Sequence, residues 1–337
     1  MNIHLERRIR DFCQLGEWLR SEPVQHGLSE KAYLQNTWFT NENTQRAIQS
    51  ISNWLDDKSL TEWVSPYQLK HQFEKTIGVI MAGNIPLAGF HDFLTVLITG
   101  MRIKIKPSSQ DQILIKEIVK KLIEINPEWK NQIEFSEQIK GTDGVIATGS
   151  NNTSRYFEYY FRSVPLLLRR NRSSVAVLDG SENEDELSGL ATDVLSYFGL
   201  GCRNVSMVLI PESMSLDEIT KALFPWRFIL DHHKYANNYT YQRALLLMDQ
   251  QPFTDTGYCV LRESEQPSSP VGVIHYKRYK EIQEVHEWIS HHKEELQCIV
   301  SRFYPGSVAF GAAQNPGLTD YADHIDTVRF VTEQAGT

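Results

Sequence analysis

Cys202 lies in Tyr197-Phe198-Gly199-Leu200-Gly201-Cys202-Arg203-Asn204, a small-residue turn between two apolar stretches. A thiol in such a turn can be approached from several directions, and its thiolate is a nucleophile toward carbonyl carbon. A helix N-terminus or the neighbouring Arg203 would lower its pKa. Upstream, a second tight turn follows a strand-like run, Gly78-Val79-Ile80-Met81-Ala82-Gly83-Asn84-Ile85-Pro86. Asn84 there can aim an amide N–H at a developing oxyanion. The two turns together suggest covalent chemistry on an activated carbonyl.

The elements that must position these residues follow from periodicity. Residues 1 to about 75 read as a polar helical cap with Trp18, Trp38, Trp54 and Trp63. Ile77–Ala82 is an expected strand, Leu87–Thr99 a buried helix, and Met101–Lys106 alternates with the strand period of two. Asp111–Ile125 is amphipathic, with Ile115, Ile118, Val119, Leu122 and Ile123 on one face. Gly144–Thr148 is a strand, followed by a helix through Tyr156 to Phe161 and strands at Val164–Leu168 and Val175–Leu178. The acidic run Ser181–Glu186 reads as a helix start or lobe boundary. Further on, Val271–Tyr276 is a strand and Glu281–Gln297 a charged amphipathic helix. Alternating strands and helices predict an α/β fold of two lobes with mostly parallel sheets. The expected division is 1–178, the helical cap plus a dinucleotide-binding domain; 179–312, a catalytic domain carrying Cys202; and 313–337, a tail returning toward the first lobe.

Composition narrows the function classes. A chain of 337 residues exceeds what one core usually serves. A net charge of -8 argues against nucleic acid or anionic membrane as a partner. Cys13, Cys202, Cys259 and Cys298 form no CxxC or CxxH pattern, and reduced thiols in a cytoplasm fit their scatter. The N-terminus carries charge where a signal peptide needs an apolar core. Gly78–Met101 could mimic a membrane span, but Asn84, Pro86, His91 and Asp92 near its middle make it a buried strand, turn and helix.

Other groups carry weaker readings. No GxGxxG follows the first strand, yet the Thr148-Gly149-Ser150 turn can offer backbone N–H groups to a pyrophosphate at a helix start. Lys104 and Arg169-Arg170-Asn171-Arg172 read either as phosphate partners or as solvated and structural cations. Asp231-His232-His233 lacks a third metal ligand, so no metal is expected, while His233 stays open as a proton donor. Cys13, Cys259 and Cys298 read as buried apolar residues.

Gly83-Asn84-Ile85-Pro86, Lys106-Pro107-Ser108-Ser109, Thr148-Gly149-Ser150 and Gly199-Leu200-Gly201-Cys202 resemble, in order, four motifs of the aldehyde dehydrogenase superfamily. Longer stretches, Met81–Pro86, Ala147–Thr153 and Tyr197–Ser206, resemble the acyl-CoA reductases of the LuxC type, with His232–Tyr239 and Ala313–Pro316 adding to this. The resemblance covers about 77 to 330. It implies an aldehyde-dehydrogenase-like fold of a Rossmann-like cofactor lobe and a catalytic lobe. It implies Cys202 as nucleophile, with Asn84 and the Cys202 backbone N–H as oxyanion donors. It places Lys106 on a cofactor ribose and Thr148, Gly149 and Ser150 by its pyrophosphate. Ser109 falls where NAD-preferring relatives carry a Glu; an uncharged residue favours NADPH. Leu168 falls near the place of the water-activating Glu of hydrolytic relatives, although Glu158 or Glu184 stays open as a base. The implied activity is NADPH-dependent reduction of fatty acyl-CoA, or another acyl thioester, to aldehyde through an acyl-cysteine. A CoA-acylating aldehyde dehydrogenase, or a cysteine acyltransferase or thioesterase without hydride transfer, is the alternative. An acyl-transfer partner protein and a homo-oligomer stay open.

Overall fold

The computed structural model describes residues 4–69, 75–149 and 151–335. Within α1 (Leu5–Arg20), Ile9, Phe12, Leu15 and Leu19 recur at helical spacing and are buried. α2 (Glu22–Gln35), α3 (Asn41–Trp54) and α4 (Asp57–Val64) complete the expected cap. Thr40 accepts from the Asn43 N–H and Asp56 from the Ser59 N–H, so α3 and α4 start where short polar side chains satisfy their first donors.

β1 (Thr76–Ile80) is buried through its centre. α5 (Phe90–Ile98) is apolar almost all round and correspondingly buried. It begins three residues later than expected, because Leu87 takes a left-handed φ of 58° that no helix residue can hold. β2 (Arg102–Lys106) alternates, with Ile103 and Ile105 inside and Arg102 and Lys106 outside. α6 (Ile113–Ile125), β3 (Ile133–Phe135), β4 (Gly144–Thr148), α7 (Asn151–Tyr160) and β5 (Leu166–Arg169) follow. Their sheet runs β3-β2-β1-β4-β5, all parallel. The order reverses between β1 and β4, and ligands of such sheets lie beyond the carboxyl ends of the strands at that reversal. Helices α1 and α2 pack on α6, and α1 also on α5.

The second sheet contains β6 (Ser173–Val177), β7 (Val205–Pro211), β8 (Thr254–Asp255), β9 (Val260–Glu263), β10 (Val273–Tyr279) and β11 (Leu296–Val300). Its order is β11-β6-β7-β10-β9-β8, parallel except for the β8–β9 pair. With it go α8 (Glu184–Leu195), α9 (Leu216–Leu223), α10 (His233–Met248) and α11 (Ile282–His291). The acidic run does start a helix: Asn183 and Glu186 form a reciprocal capping box. The helix expected over Glu281–Gln297 ends at His291. Leu296 and Gln297 instead open β11 and are buried beside β6.

Two compact units result, Met1–Asn171 with Pro316–Thr337 and Arg172–Asn315. The crossing therefore falls at Asn171/Arg172 rather than 178/179. Ser173–Val177 hydrogen-bonds between β7 and β11 and so belongs to the second sheet. The return falls at Pro316 rather than 313, since the Gly311 and Ala313 N–H groups bond the Asp193 carboxylate of α8. In the first unit the returning segment carries α12 (Thr327–Arg329), and Val328, Phe330 and Val331 enter the core. Gly144 admits that segment: a Cβ there would lie 2.4 Å from the Ala335 Cβ. Among the described residues, no helix is long and apolar enough to cross a membrane.

Candidate active-site turns

Asn84 is exposed in the turn between β1 and α5. The turn rests on the segment that follows β2. The Met81 N–H donates to the Lys106 carbonyl at 3.0 Å, extending the β1–β2 pairing by one residue. A Cβ on Gly83 would fall 2.4 Å from the Ser108 hydroxyl oxygen and 2.5 Å from its Cβ. Only glycine lets the two turns pack this closely. After Asn84 the chain buries Pro86 and bends at Leu87. The Leu87 N–H donates to Asp111 Oδ2 at 2.6 Å, and the Asp111 N–H donates to the Ser108 carbonyl at 3.1 Å. Asp111 is 5% exposed, and its Oδ1 has no hydrogen-bond partner among the described residues. Burial pushes its carboxyl up to about 7, against the opposing pull of the Leu87 N–H.

Lys106, the last residue of β2, and Ser109, just beyond it, are both exposed. The Ser109 carbonyl accepts from Gln35 Nε2 at 3.0 Å, and Gln35 Oε1 accepts the Ile113 N–H at 3.1 Å. The last residue of α2 thus fixes both the Ser109 turn and the start of α6. At the end of β4, Thr148 is half-buried. The Gly149 N–H is already given to the Arg169 carbonyl at 3.2 Å, so any backbone donor to a phosphate must come from later in the turn. Ser150 lies outside the described residues.

The candidate phosphate cations have internal partners. Lys104 pairs with Glu134 at 3.3 Å and bonds the Lys140 carbonyl. Arg169 is buried, with Nη2 2.6 Å and Nε 3.1 Å from the two Asp92 oxygens, and further bonds to the Ala322 carbonyl and Thr327 hydroxyl. Arg170 pairs with Glu158, and Arg172 bonds the Leu296 carbonyl. Arg169 therefore joins α5 to the returning segment, and its structural reading holds. Glu184 sits in the first turn of α8, and Leu168 is half-buried in β5.

In the second unit, α8 ends at Leu195 and three successive residues turn left-handed: Tyr197 at φ 51°, Phe198 at 61° and Gly199 at 76°. Gly201 follows at 99°. Only the glycines take this conformation freely, so Tyr197 and Phe198 are held there by their surroundings. Both are buried. The Phe198 ring lies 4.3 Å from the His232 ring and 6.1 Å from Tyr235. His232 caps α10, its Nδ1 accepting the Tyr235 N–H at 3.3 Å. The motifs around Cys202 and His232 are thus brought together, and the exposed His233 stacks its ring 5.4 Å from that of His232. Cys202 is partly buried just before β7. Its carbonyl accepts from the Ser174 hydroxyl at 3.2 Å, and that oxygen lies 3.1 Å from Cys298 Sγ.

Cys259 is fully buried as expected, its thiol pushed up to about 12 by burial. Cys13 and Cys298 are only partly buried, which corrects the expectation for both. Burial and nearby carboxylates push Cys13 up to about 11. No cysteine is in a disulfide, and no cluster of three metal-ligating side chains gathers among the described residues.

The sequence reading missed Asp111, Ser174 and the His232–Phe198 contact. Asp111 looks like part of the following helix, but it serves an N–H twenty-four residues upstream. Nothing local marks such a pairing.

Comparison with known proteins agrees with this architecture. The sequence model of the acyl-CoA reductase (LuxC) family matches residues 50–226, a span that includes both turns. The chain belongs to the LuxC acyl-CoA reductase family, whose chemistry is redox at the acyl and aldehyde level. No curated protein sequence matches it. The fold is that of aldehyde dehydrogenases. PutA from Anabaena variabilis, described as an aldehyde dehydrogenase, is similar at 15% identity and TM-score 0.65, over 90% of this chain and 75% of that one. KauB, an aldehyde dehydrogenase from Pseudomonas aeruginosa, is similar at 13% and 0.66, over 88% and 72%. The indole-3-acetaldehyde dehydrogenase AldA from P. syringae, in complex with NAD+, gives the same values.

Proposed function

We propose that the protein reduces fatty acyl thioesters, with acyl-CoA as donor, to fatty aldehydes using NADPH. Cys202 is the nucleophile: its sulfur bonds the carbonyl carbon, the CoA sulfur departs and takes a proton, and an acyl-cysteine remains. Asn84 and the Cys202 N–H are the donors to the oxyanion. The observation that carries the reading is where the thiols lie. Cys202 sits in a turn whose strained backbone is braced from outside, whereas Cys13 lies within α1, Cys259 beside β9 and Cys298 within β11.

The carboxyl ends of β1, β2 and β4 fit a dinucleotide, with Lys106 and Ser109 exposed there and the β1/β4 reversal beside them. Lys106 would hold the ribose, and Thr148, Gly149 and Ser150 would border the pyrophosphate. Ser109 carries no charge to repel a 2'-phosphate, which favours NADPH over NADH. The cofactor supplies the hydride when bound. Leu168 offers no carboxylate to activate water, and an acyl-cysteine spared from hydrolysis persists until reduction.

Intact-mass measurement after mixing with dodecanoyl-CoA, without NADPH, is expected to show one acyl adduct on the wild-type protein and none on Cys202→Ala. An adduct that persists in Cys202→Ala overturns the assignment. Acyl-CoA-dependent loss of NADPH absorbance then separates a reductase from an acyltransferase or thioesterase, and repeating it with NADH tests the Ser109 argument.

A further inference from the structure

We propose that Asp111 is the positioning residue of the Asn84 turn. Its carboxyl, gripping the Leu87 N–H, fixes the direction in which Asn84 leaves the sheet. The inference rests on the reading of Asn84 as an oxyanion donor.

A carboxyl is rarely buried unless a cation or several donors answer it. Asp111 is 5% exposed, and among the described residues it forms no ion pair and one of its oxygens has no partner. Its one side-chain bond among the described residues is the 2.6 Å contact from Leu87. Stability alone would favour a smaller, neutral residue here, so the cost is explained by what the bond does. Leu87 is a buried non-glycine residue in a left-handed conformation, which the chain leaves unless held. A hydrogen bond from its N–H to a buried carboxyl oxygen is the hold.

The other end of the turn is fixed through the same residue. The Asp111 N–H bonds the Ser108 carbonyl, and Ser108 lies against Gly83. Asn84 is thus flanked by Gly83, pressed on Ser108, and by Leu87, tied to Asp111. Asn84 itself is exposed and takes its direction from these neighbours. An oxyanion donor works by being aimed before charge develops, and a displacement near 1 Å costs on the order of a hundredfold in rate.

Three readouts test this on the full chain: hydrogen exchange at the Leu87 amide, the rate of adduct formation with dodecanoyl-CoA, and NADPH affinity. In Asp111→Asn a side-chain oxygen still accepts the Leu87 N–H. Exchange protection and rate are expected within about threefold of wild type. Asp111→Ala is expected to lose protection at Leu87 and to slow adduct formation about a hundredfold, with NADPH affinity changed less than about threefold. If Asp111→Ala does not fold, Asp111→Ser keeps a shorter acceptor and is expected to show both effects more weakly. Unchanged Leu87 exchange or an unchanged rate in the folded variant overturns the proposal. So does an inactive but folded Asp111→Asn, or a fall in NADPH affinity that matches the fall in rate. Those outcomes leave the Cys202 assignment standing. Absence of any adduct on the wild-type protein removes that assignment and this proposal with it, and the exchange data still report whether Asp111 holds Leu87.

Discussion

At the Asn84 turn the strained residue is Leu87, held by a buried carboxyl; at the Cys202 turn the strained residues are Tyr197 and Phe198, and Phe198 is held by rings. The first turn is braced by polar bonds from the segment that follows β2, and the helix after the turn carries Asp92 of the Arg169–Asp92 pair. The second is braced by the capped start of α10 and by one hydroxyl from β6. Both turns hold a candidate side chain close to backbone that local preference disfavours, and both recruit the brace from elsewhere in the chain. They differ in what disturbs them. A charge-based brace responds to protons and to loss of a partner, whereas a stacked ring responds to loss of contact area.

The contrast is sharpest in the ion pair. Asp92→Ala leaves a buried guanidinium without its anion, and such breaks cost about 3–5 kcal/mol. Urea denaturation is expected to show that loss; a change below about 1 kcal/mol would mean the pair is as weak as a surface pair and break the comparison.

Next comes pH. The Asp111 carboxyl is raised to about 7 in the folded protein, against roughly 3.9 in an unfolded chain. Between those values the folded state keeps the proton that the unfolded chain has released. This group therefore makes stability fall as pH rises from about 4 to about 7, by on the order of 4 kcal/mol, with no further change above. Asp193, raised to about 6 by burial despite the Gly311 and Ala313 N–H bonds, adds a smaller decline of the same sign over a narrower window. Stability curves for Asp111→Asn are expected to lose the larger part of the slope. A slope identical to wild type would show that Asp111 does not titrate there.

The smallest effect belongs to the ring-braced turn. Ser174→Ala removes the bond to the Cys202 carbonyl, for about 0.5–1.5 kcal/mol. The adduct rate is expected to change by less than about tenfold, because Phe198 and His232 still hold the backbone. A loss as large as that expected for Asp111→Ala would show that the hydroxyl, not the rings, fixes Cys202.

Much of this was legible in the residues. The first sheet announced itself through alternation at Met101–Lys106 and through apolar runs such as Gly144–Thr148. Asn84 and Cys202 stood out because each sits in a turn rich in small residues. The short β8–β9 pair did not, since two to four residues are too few for a period to emerge. Charged residues continuing through Glu295 disguised the end of α11. A strand was expected at Val175–Leu178, two residues later in its start than Ser173–Val177, but which sheet it joins depends on partners far along the chain. Asp111 and His232 were invisible as braces for the same reason: each acts on a residue remote in sequence, Asp111 on the Leu87 N–H and His232 on the Phe198 ring.

The second unit is an insertion within the first, which closes only with the segment from Pro316 onward. During synthesis the ribosome therefore delivers all of Arg172–Asn315 before the strip carrying Val328, Phe330 and Val331. The later-starting half of the molecule can finish folding while the nascent earlier half still shows the apolar surface that strip covers. Chaperone capture of translation intermediates should accordingly centre on the sheet made first.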